Sequence, residues 1–285
     1  MPLIPKGNPL HEILHLLPYH FKSSQIALDD LVEEKHSFGK HTRQYFLYFH
    51  PKKTAPKRKQ SIIYFHGGGW QFGKPEMFRA NAKVFTDQGY PIYCLSHRRI
   101  PFYSFKDMRE DLTNGLHAIL QFRKKQNLEN KNILLGGMSS GAHLAAMLLY
   151  DRKELEKIGV SQKIFSGIFV CGAPLDLSKM RKSFTLKYLK GNSKQSNYKS
   201  PNPIDYLQKD ETIPMLAIHG TNDGLVEYAA GKSFYDQLKS INPKLIQVHT
   251  IPNGTHLNAV NWVLEDDDIR KIILKWMKYT VDSPL

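Results

Sequence analysis

Apolar positions along the chain fall into short dense blocks separated by longer stretches with helical spacing, and the two kinds alternate almost from end to end. Residues 32–49 read as a pair of strands, with Tyr45 to Phe49 as an unbroken aromatic and apolar run. The block Ser61-Ile62-Ile63-Tyr64-Phe65 has the apolar continuity of a strand covered on both faces and ends in glycines. Helical spacing over 76–88 leads to a strand at Pro91 to Ser96. A helix over 106–126 follows, with Leu112, Leu116, Ile119 and Leu120 on one stripe. The pattern then predicts a strand at 132–136, a helix at 141–150, a strand at 164–171 and a basic stretch of irregular spacing. Beyond it come a strand at 214–219, a helix near 227–240, a strand at 245–251 and a helix near 265–280.

Strands and helices alternating at this rate imply crossover units, hence an α/β fold whose mostly parallel sheet is flanked by helices on both faces. No repeat, low-complexity tract or linker divides the chain, so 1–285 reads as a single domain, with 1–30 and 175–208 as possible cap elements. In such a sheet, ligands bind beyond the carboxyl ends of the strands. The residues at those ends are therefore where chemistry is to be sought.

Composition changes this picture little. With 285 residues, 41% hydrophobic and 23% charged, the chain is long enough to bury roughly three quarters of its unfolded surface without disulfides or metal. Disorder, collagen and disulfide scaffolds are excluded. The two cysteines, Cys94 and Cys171, lie far apart in apolar blocks and lack the paired spacing of zinc or redox motifs, so they read as buried thiols. The opening Met-Pro-Leu-Ile-Pro-Lys has no signal-peptide pattern, and no apolar run reaches the roughly 20 residues of a membrane helix. These features give the expectation of a soluble, cytoplasmic protein with no membrane partner.

The excess of 40 Lys+Arg over 26 Asp+Glu gives a net charge of +14. It is densest at Lys52 to Lys59 and between Lys179 and Lys199, which holds seven basic residues and no acid. Such runs are able to attract nucleic acid or another polyanion. No nucleic-acid motif accompanies them, and solvated loops account for them equally well, so no nucleic-acid partner is expected.

The strand at 132–136 runs into Gly137-Met138-Ser139-Ser140-Gly141 and at once into a helix beginning Ala142-His143-Leu144. A strand turning this sharply into a helix needs glycines around the middle residue, and the turn lifts the Ser139 hydroxyl out of the sheet. G-x-S-x-G alone is a common pattern; the strand before it and the helix after it make it specific. The strand at 61–65 ends in His66-Gly67-Gly68-Gly69-Trp70. Beside Ser139, the uncovered N–H groups of Gly67 and Gly68, with that of Ser140, are able to hold an oxyanion, each worth about 3 kcal/mol. Phosphate cradling is the competing use of such a loop, but both the P-loop Lys-Ser/Thr and the G-x-G-x-x-G spacing are missing.

A serine nucleophile needs a base, and 13 histidines are available. His256, in Pro252-Asn253-Gly254-Thr255-His256, follows the strand at 245–251 in what reads as a flexible loop at the right end of the sheet. His249 lies within that strand and reads as packed; His66 and His143 adjoin the two motifs as local structural partners. The orienting carboxylate is Asp223, in His219-Gly220-Thr221-Asn222-Asp223-Gly224, three residues past the preceding strand, whereas Glu227 reads as the start of the next helix. The candidate catalytic set is Ser139, Asp223 and His256, in that chain order. Trp70 either walls the pocket or packs in the core.

These motifs resemble the α/β-hydrolase fold over about residues 30–280. H-G-G-G-W at 66–70 and G-M-S-S-G-A-H-L-A at 137–145 are similar to hormone-sensitive-lipase-type esterases, feruloyl-esterase-like hydrolases and kynurenine formamidases. Arg98 to Pro101, with Asp111 downstream, is similar to the Y-R-x-x-P segment of the first group, with His97 in place of the tyrosine. The acid segment H-G-T-N-D-G-L-V differs from the D-P-L-x-D of that group and looks more like feruloyl-esterase-like and peptidase-related hydrolases. Gly69 stands where kynurenine formamidases usually carry an aromatic residue. The resemblance implies a serine hydrolase acting on a small-molecule ester of a short acyl group or an aryl acid, with no metal or organic cofactor. Cleavage of an arylformamide or other amide by the same triad is the alternative, and a catalytically silent binding protein of this fold is the third.

Overall fold

The computed structural model describes residues 4–56, 58–191, 200–264 and 268–282. In chain order they form α1 (Pro9–Ser24), β1 (Glu33–Ser37), β2 (Tyr45–Phe49), β3 (Ser61–Phe65), α2 (Arg79–Thr86), β4 (Ile92–Leu95), α3 (Phe105–Lys125), β5 (Ile133–Met138) and α4 (Ser140–Tyr150). Then follow α5 (Arg152–Glu156), β6 (Phe165–Cys171), α6 (Phe184–Lys190), β7 (Met215–Gly220), α7 (Tyr228–Ile241), β8 (Ile246–Ile251), α8 (His256–Val260) and α9 (Asp268–Asp282).

The strands form one eight-stranded sheet in the order β1-β2-β4-β3-β5-β6-β7-β8. β2 runs antiparallel to β1 and β4, and every other pairing is parallel. This is the α/β fold with a mostly parallel sheet that the alternation predicts, and strand boundaries agree to within one or two residues.

The continuous apolar runs are explained by burial on both faces. Along β3, Ile63 and Phe65 face a core shared with Leu112, Leu116 and Ile119 of α3, most of α4, and Phe234 and Leu238 of α7. The alternate residues Ile62 and Tyr64 face a second core with Phe85 of α2 and Ile273 and Met277 of α9. Cys94 and Cys171 are both buried and share no disulfide, as their apolar blocks imply.

Four helices escape the sequence reading, the five-residue α5 and α8 and the longer α1 and α6. α1 has Asn8 as N-cap, its Oδ1 accepting the N–H of Leu10, and Pro9 at the first helical position. Its interior Pro18 argues against a helix and hides it from the sequence reading. α6 lies inside the basic stretch, capped by Ser183 and anchored by buried Leu186 and Leu189, so part of that stretch is a docked helix instead of a solvated loop. Residues 192–199 of the basic stretch and of the possible cap 175–208 lie outside the described residues, as do 1–3 of the possible cap 1–30 and 265–267 at the start of the last expected helix.

Phe85 is fully buried among Tyr64, Phe169 and Trp262, with ring centroids 5.5–6.4 Å apart. Replacing it with alanine opens a cavity in the layer remote from α4 and is expected to cost about 3–5 kcal/mol, read from the urea unfolding midpoint.

Candidate active site

The loops at the carboxyl ends of β3, β5, β7 and β8 converge on one cavity of about 590 Å³, lined by Gly67, Gly68, Ser139, Ser140 and His256 among others. Ser139 stands between β5 and α4 with φ 52° and ψ −129°, a strained backbone for a residue with a side chain. Its N–H donates to the Cys171 carbonyl at 2.8 Å and its carbonyl accepts from His143 N at 3.3 Å, which fixes the turn from both sides. A Cβ on Gly141 would lie 2.2 Å from the Phe65 carbonyl oxygen, so only glycine lets α4 begin this close to β3.

The glycine loop lies directly beside this turn: a Cβ on Gly67 would stand 3.5 Å from that of Ser139. His66 is buried, and its Nδ1 donates to the Gly67 carbonyl at 2.9 Å. Because the peptide is trans, fixing that carbonyl turns the Gly68 N–H the other way. Burial, aided by the stacked His97, pushes the His66 imidazole down to about 3, so it is a neutral strut. The Arg98–Pro101 segment braces the same loop. Arg99 donates to the carbonyls of Gly73 and Gln71, and Arg98 is anchored by Asp111, which accepts its backbone N–H at 2.7 Å and its Nε at 3.0 Å.

Trp70 directly follows the glycine loop. Its ring is buried against the core and also lines the cavity, and its Nε1 donates to His143 Nδ1 at 3.1 Å. His143 in turn donates from Nε2 to the Pro201 carbonyl at 2.6 Å. Burial pushes His143 down to about 4, which suits a neutral ring that accepts on one side and donates on the other.

Asp223 and His256 meet across the ends of β7 and β8, Asp223 Oδ2 lying 2.7 Å from His256 Nδ1. The other oxygen of Asp223 accepts the N–H groups of Leu225 and Val226 at 2.9 and 2.8 Å, so the carboxylate cannot swing away. His219 Nε2 stands 3.4 Å from Oδ2. Burial alone would raise the Asp223 carboxyl; the charge of His256 and the hydrogen bonds from His219 and His256 outweigh it and hold the group well below the usual carboxylate range. Burial would likewise lower His256, and the Asp223 charge and hydrogen bond reverse this, leaving the imidazole above its ordinary value. With Nδ1–H donating to Asp223, the lone pair of the neutral ring sits on Nε2.

Sequence reasoning places His256 in a flexible loop; it is instead a buried residue at the start of α8, 3% exposed, with Thr255 and Asn258 forming a capping box. His249 is half-buried on the edge strand β8 instead of packed. Glu227 caps α7, as expected, and pairs with Arg181 at 2.6 Å. Gly172, just past β6, is a requirement the sequence reading overlooks. Its φ is +56°, and a Cβ there would come within 2.9 Å of the His256 ring. Its signal is a lone glycine directly after a buried strand. The apolar wall formed by Ile13, Leu16 and Leu17 of α1 was hidden with that helix. Among the described residues, no cluster of His, Cys, Asp or Glu is able to hold a metal ion, and no helix is long and apolar enough to cross a membrane.

Residues 47–238 match the family described as BD-FAE. Among curated proteins, the chain is 23% identical over 227 residues to the kynurenine formamidase of Salmo salar, covering 76% of this chain and 72% of that protein. It is 24% identical over 213 residues to a probable isoprenylcysteine alpha-carbonyl methylesterase of Oryza sativa subsp. japonica, covering 68% of this chain but only 50% of the methylesterase. Among solved structures, esterase B of Lactobacillus rhamnosis, inhibited by a tributyrin phosphonate, superposes with a TM-score of 0.79 at 19% identity, covering 96% of this chain and 94% of that one. A bacterial heroin esterase superposes at 0.71 with 15% identity, covering 99% and 94%. At such identities these structures establish the α/β-hydrolase fold.

Asp223→Asn keeps the burial of His256 and removes the charge that opposes it. Its imidazole is expected to titrate below the ordinary histidine value in that variant and above it in the wild type, both read from the His256 ring signal in an NMR titration.

Proposed function

The chain belongs to the BD-FAE family, and we propose that it is a serine hydrolase that cleaves carboxylic esters, of a short acyl group or an aryl acid, through an acyl-enzyme at Ser139. The observation that carries this reading is the buried Asp223–His256 pair opening onto the same cavity as a serine held at a strained strand-to-helix turn.

In this reading the Ser139 Oγ attacks the ester carbonyl as His256 Nε2 takes its proton. The imidazolium that forms is stabilised by Asp223, whose low pKa keeps it ionised throughout. The carbonyl oxygen becomes an oxyanion facing the N–H groups of Gly67, Gly68 and Ser140. The tetrahedral intermediate collapses as His256 returns the proton to the departing alcohol. Water, deprotonated by the same His256, then attacks the acyl-enzyme, and the carboxylic acid leaves with Ser139 regenerated.

The lining of the cavity supports an uncharged, apolar substrate. Ile13, Leu16, Leu17, Phe72, Met77 and Val260 surround it, and among the described residues no Lys, Arg, Asp or Glu lines it. An anionic acid moiety there would lose its hydration without a counter-charge, so the basic stretch at 179–190 does not argue for an anionic substrate. α1 and the segment around Met180, Ser183 and Thr185 form opposite parts of the wall and act as cap elements.

Cleavage of an arylformamide is the second reading, favoured by the likeness to a kynurenine formamidase over most of that protein's length. The machinery is the same, because an activated amide passes through the same acyl-enzyme. The ratio of kcat/KM on a formanilide to that on an aryl acetate separates the two.

Fluorophosphonate treatment followed by peptide mapping is expected to label Ser139, and Ser139→Ala is expected to lose labelling together with roughly a million-fold in kcat on p-nitrophenyl butyrate. An unchanged rate in that variant overturns the reading. Because His256 acts as the neutral base and its pKa is raised, kcat/KM is expected to climb with pH through a midpoint above the ordinary histidine value.

A further inference from the structure

Glu12 is 0% exposed on the inner side of α1, more than 200 residues from the acid and base in sequence. Its Oε1 accepts the backbone N–H of His256 at 3.0 Å and that of Gly224 at 3.3 Å. One oxygen atom thus bonds the backbone of the base itself and that of the residue directly after the acid. The other oxygen, Oε2, is buried and without a hydrogen-bond partner among the described residues.

A buried carboxylate is costly to keep, and a half-satisfied one more so. Hydrophobic packing of α1 alone would favour an apolar residue at position 12. The surrounding backbone is shaped to the carboxylate's reach. A Cβ on Gly224 would come within 2.9 Å of the Gly7 carbonyl carbon, and one on Gly7 within 2.2 Å of the Asn222 side-chain oxygen, so residues 7–12 lie directly on the acid loop. The acid and base loops follow different strands, β7 and β8, and are joined elsewhere by the Asn222 N–H bonded to the Gly254 carbonyl. Glu12 adds a tie at the catalytic residues themselves.

We propose that Glu12 is a positioning residue that clamps the acid loop to the base loop and, through its negative charge beside the His256 backbone, supports the imidazolium formed during the reaction. The proposal rests on His256 being the general base. The titratable groups around His256 are Asp223 and, behind it, His219 from the β7 side, and Glu12 from α1, while Tyr19 and His20 of α1 and the Ser139 hydroxyl line the same cavity. Of the acids in that set, Asp223 fixes the ring and Glu12 fixes the backbone. The charge of Glu12 favours the protonated ring, so removing it lets the ring lose its proton at lower pH.

Two variants separate position from charge. In Glu12→Gln the amide oxygen still accepts both N–H groups, while the charge is gone. In Glu12→Ala both N–H groups are left buried and unpaired. The full chain is used for each, with circular dichroism and the urea midpoint as folding checks. In Glu12→Gln the NMR titration of the His256 ring and the acid limb of kcat/KM are expected to move together to lower pH. In Glu12→Ala kcat on p-nitrophenyl butyrate is expected to fall by up to about 100-fold with KM little changed, because a displaced base slows proton transfer without altering the apolar wall. A folded Glu12→Gln variant whose His256 titrates where the wild type does overturns the proposal, as does a folded Glu12→Ala variant with wild-type kcat. If alanine prevents folding, the glutamine variant carries the test. The ring titration needs no substrate, so a wild type that hydrolyses no ester sinks the esterase reading while the shift in Glu12→Gln still reports the charge of Glu12 at the His256 ring.

Discussion

The backbone of α4 begins in contact with the backbone at the end of β3, and the site follows from that contact. With a Cβ at Gly141 excluded by the carbonyls of Phe65 and His66, the chain turns from strand to helix in a single residue, and Ser139 takes the left-handed conformation as a result. Strain of this kind persists where the surroundings over-determine it. Here they do: parallel pairing places Phe65 opposite Gly137 and Met138 opposite Cys171, and the Ser139 N–H is held by the Cys171 carbonyl. The same register brings the glycine loop alongside the serine, so the proposed nucleophile and the proposed oxyanion donors are consequences of one packing arrangement.

Electrostatics then sets His256 apart from three other buried histidines. His66, His97 and His143 are each pushed down by burial, and each has a ring nitrogen bonded to a backbone carbonyl. They are neutral struts that hold the glycine loop, the Arg98 segment and Trp70. His256 is as deeply buried but has a carboxylate at 2.7 Å, which reverses the direction of its shift. In the proposed mechanism His256, unlike those three, is the ring that gains and releases a proton, and its charged partner makes that difference.

Much of this was legible in the sequence because backbone geometry at strand ends demands particular residues there. Gly-x-Ser-x-Gly, the triple glycine and Asp223 three residues beyond its strand all stand where the structure puts them, and the strands were readable from unbroken apolar runs. The residues that escaped act through distant partners. Gly172 matters only because the His256 ring lies against it, a relation across 84 residues that no local pattern encodes. His256 is held from α1, whose stripe of Leu10, Ile13, Leu14, Leu17 and Phe21 is exposed instead of packed in a core. Asn8-Pro9 is a recognisable helix start, yet an interior proline argues against the helix that follows it.

α1 belongs to no crossover unit of the sheet, and yet three functions meet on it. Ile13, Leu16 and Leu17 wall the cavity; Tyr19 reaches the lower core; Glu12 bonds the acid and base loops. Positions 12 and 13 point to opposite duties one residue apart, Glu12 fully buried and Ile13 half exposed at the cavity. A helix turns as a rigid unit, so a larger acyl group that pressed the wall outward would also pull on the clamp. In the proposed mechanism, substrate size and base placement would therefore be linked through one element. That linkage gives a mechanical reason for an esterase to lose kcat, and not only affinity, on acyl groups too bulky for its wall.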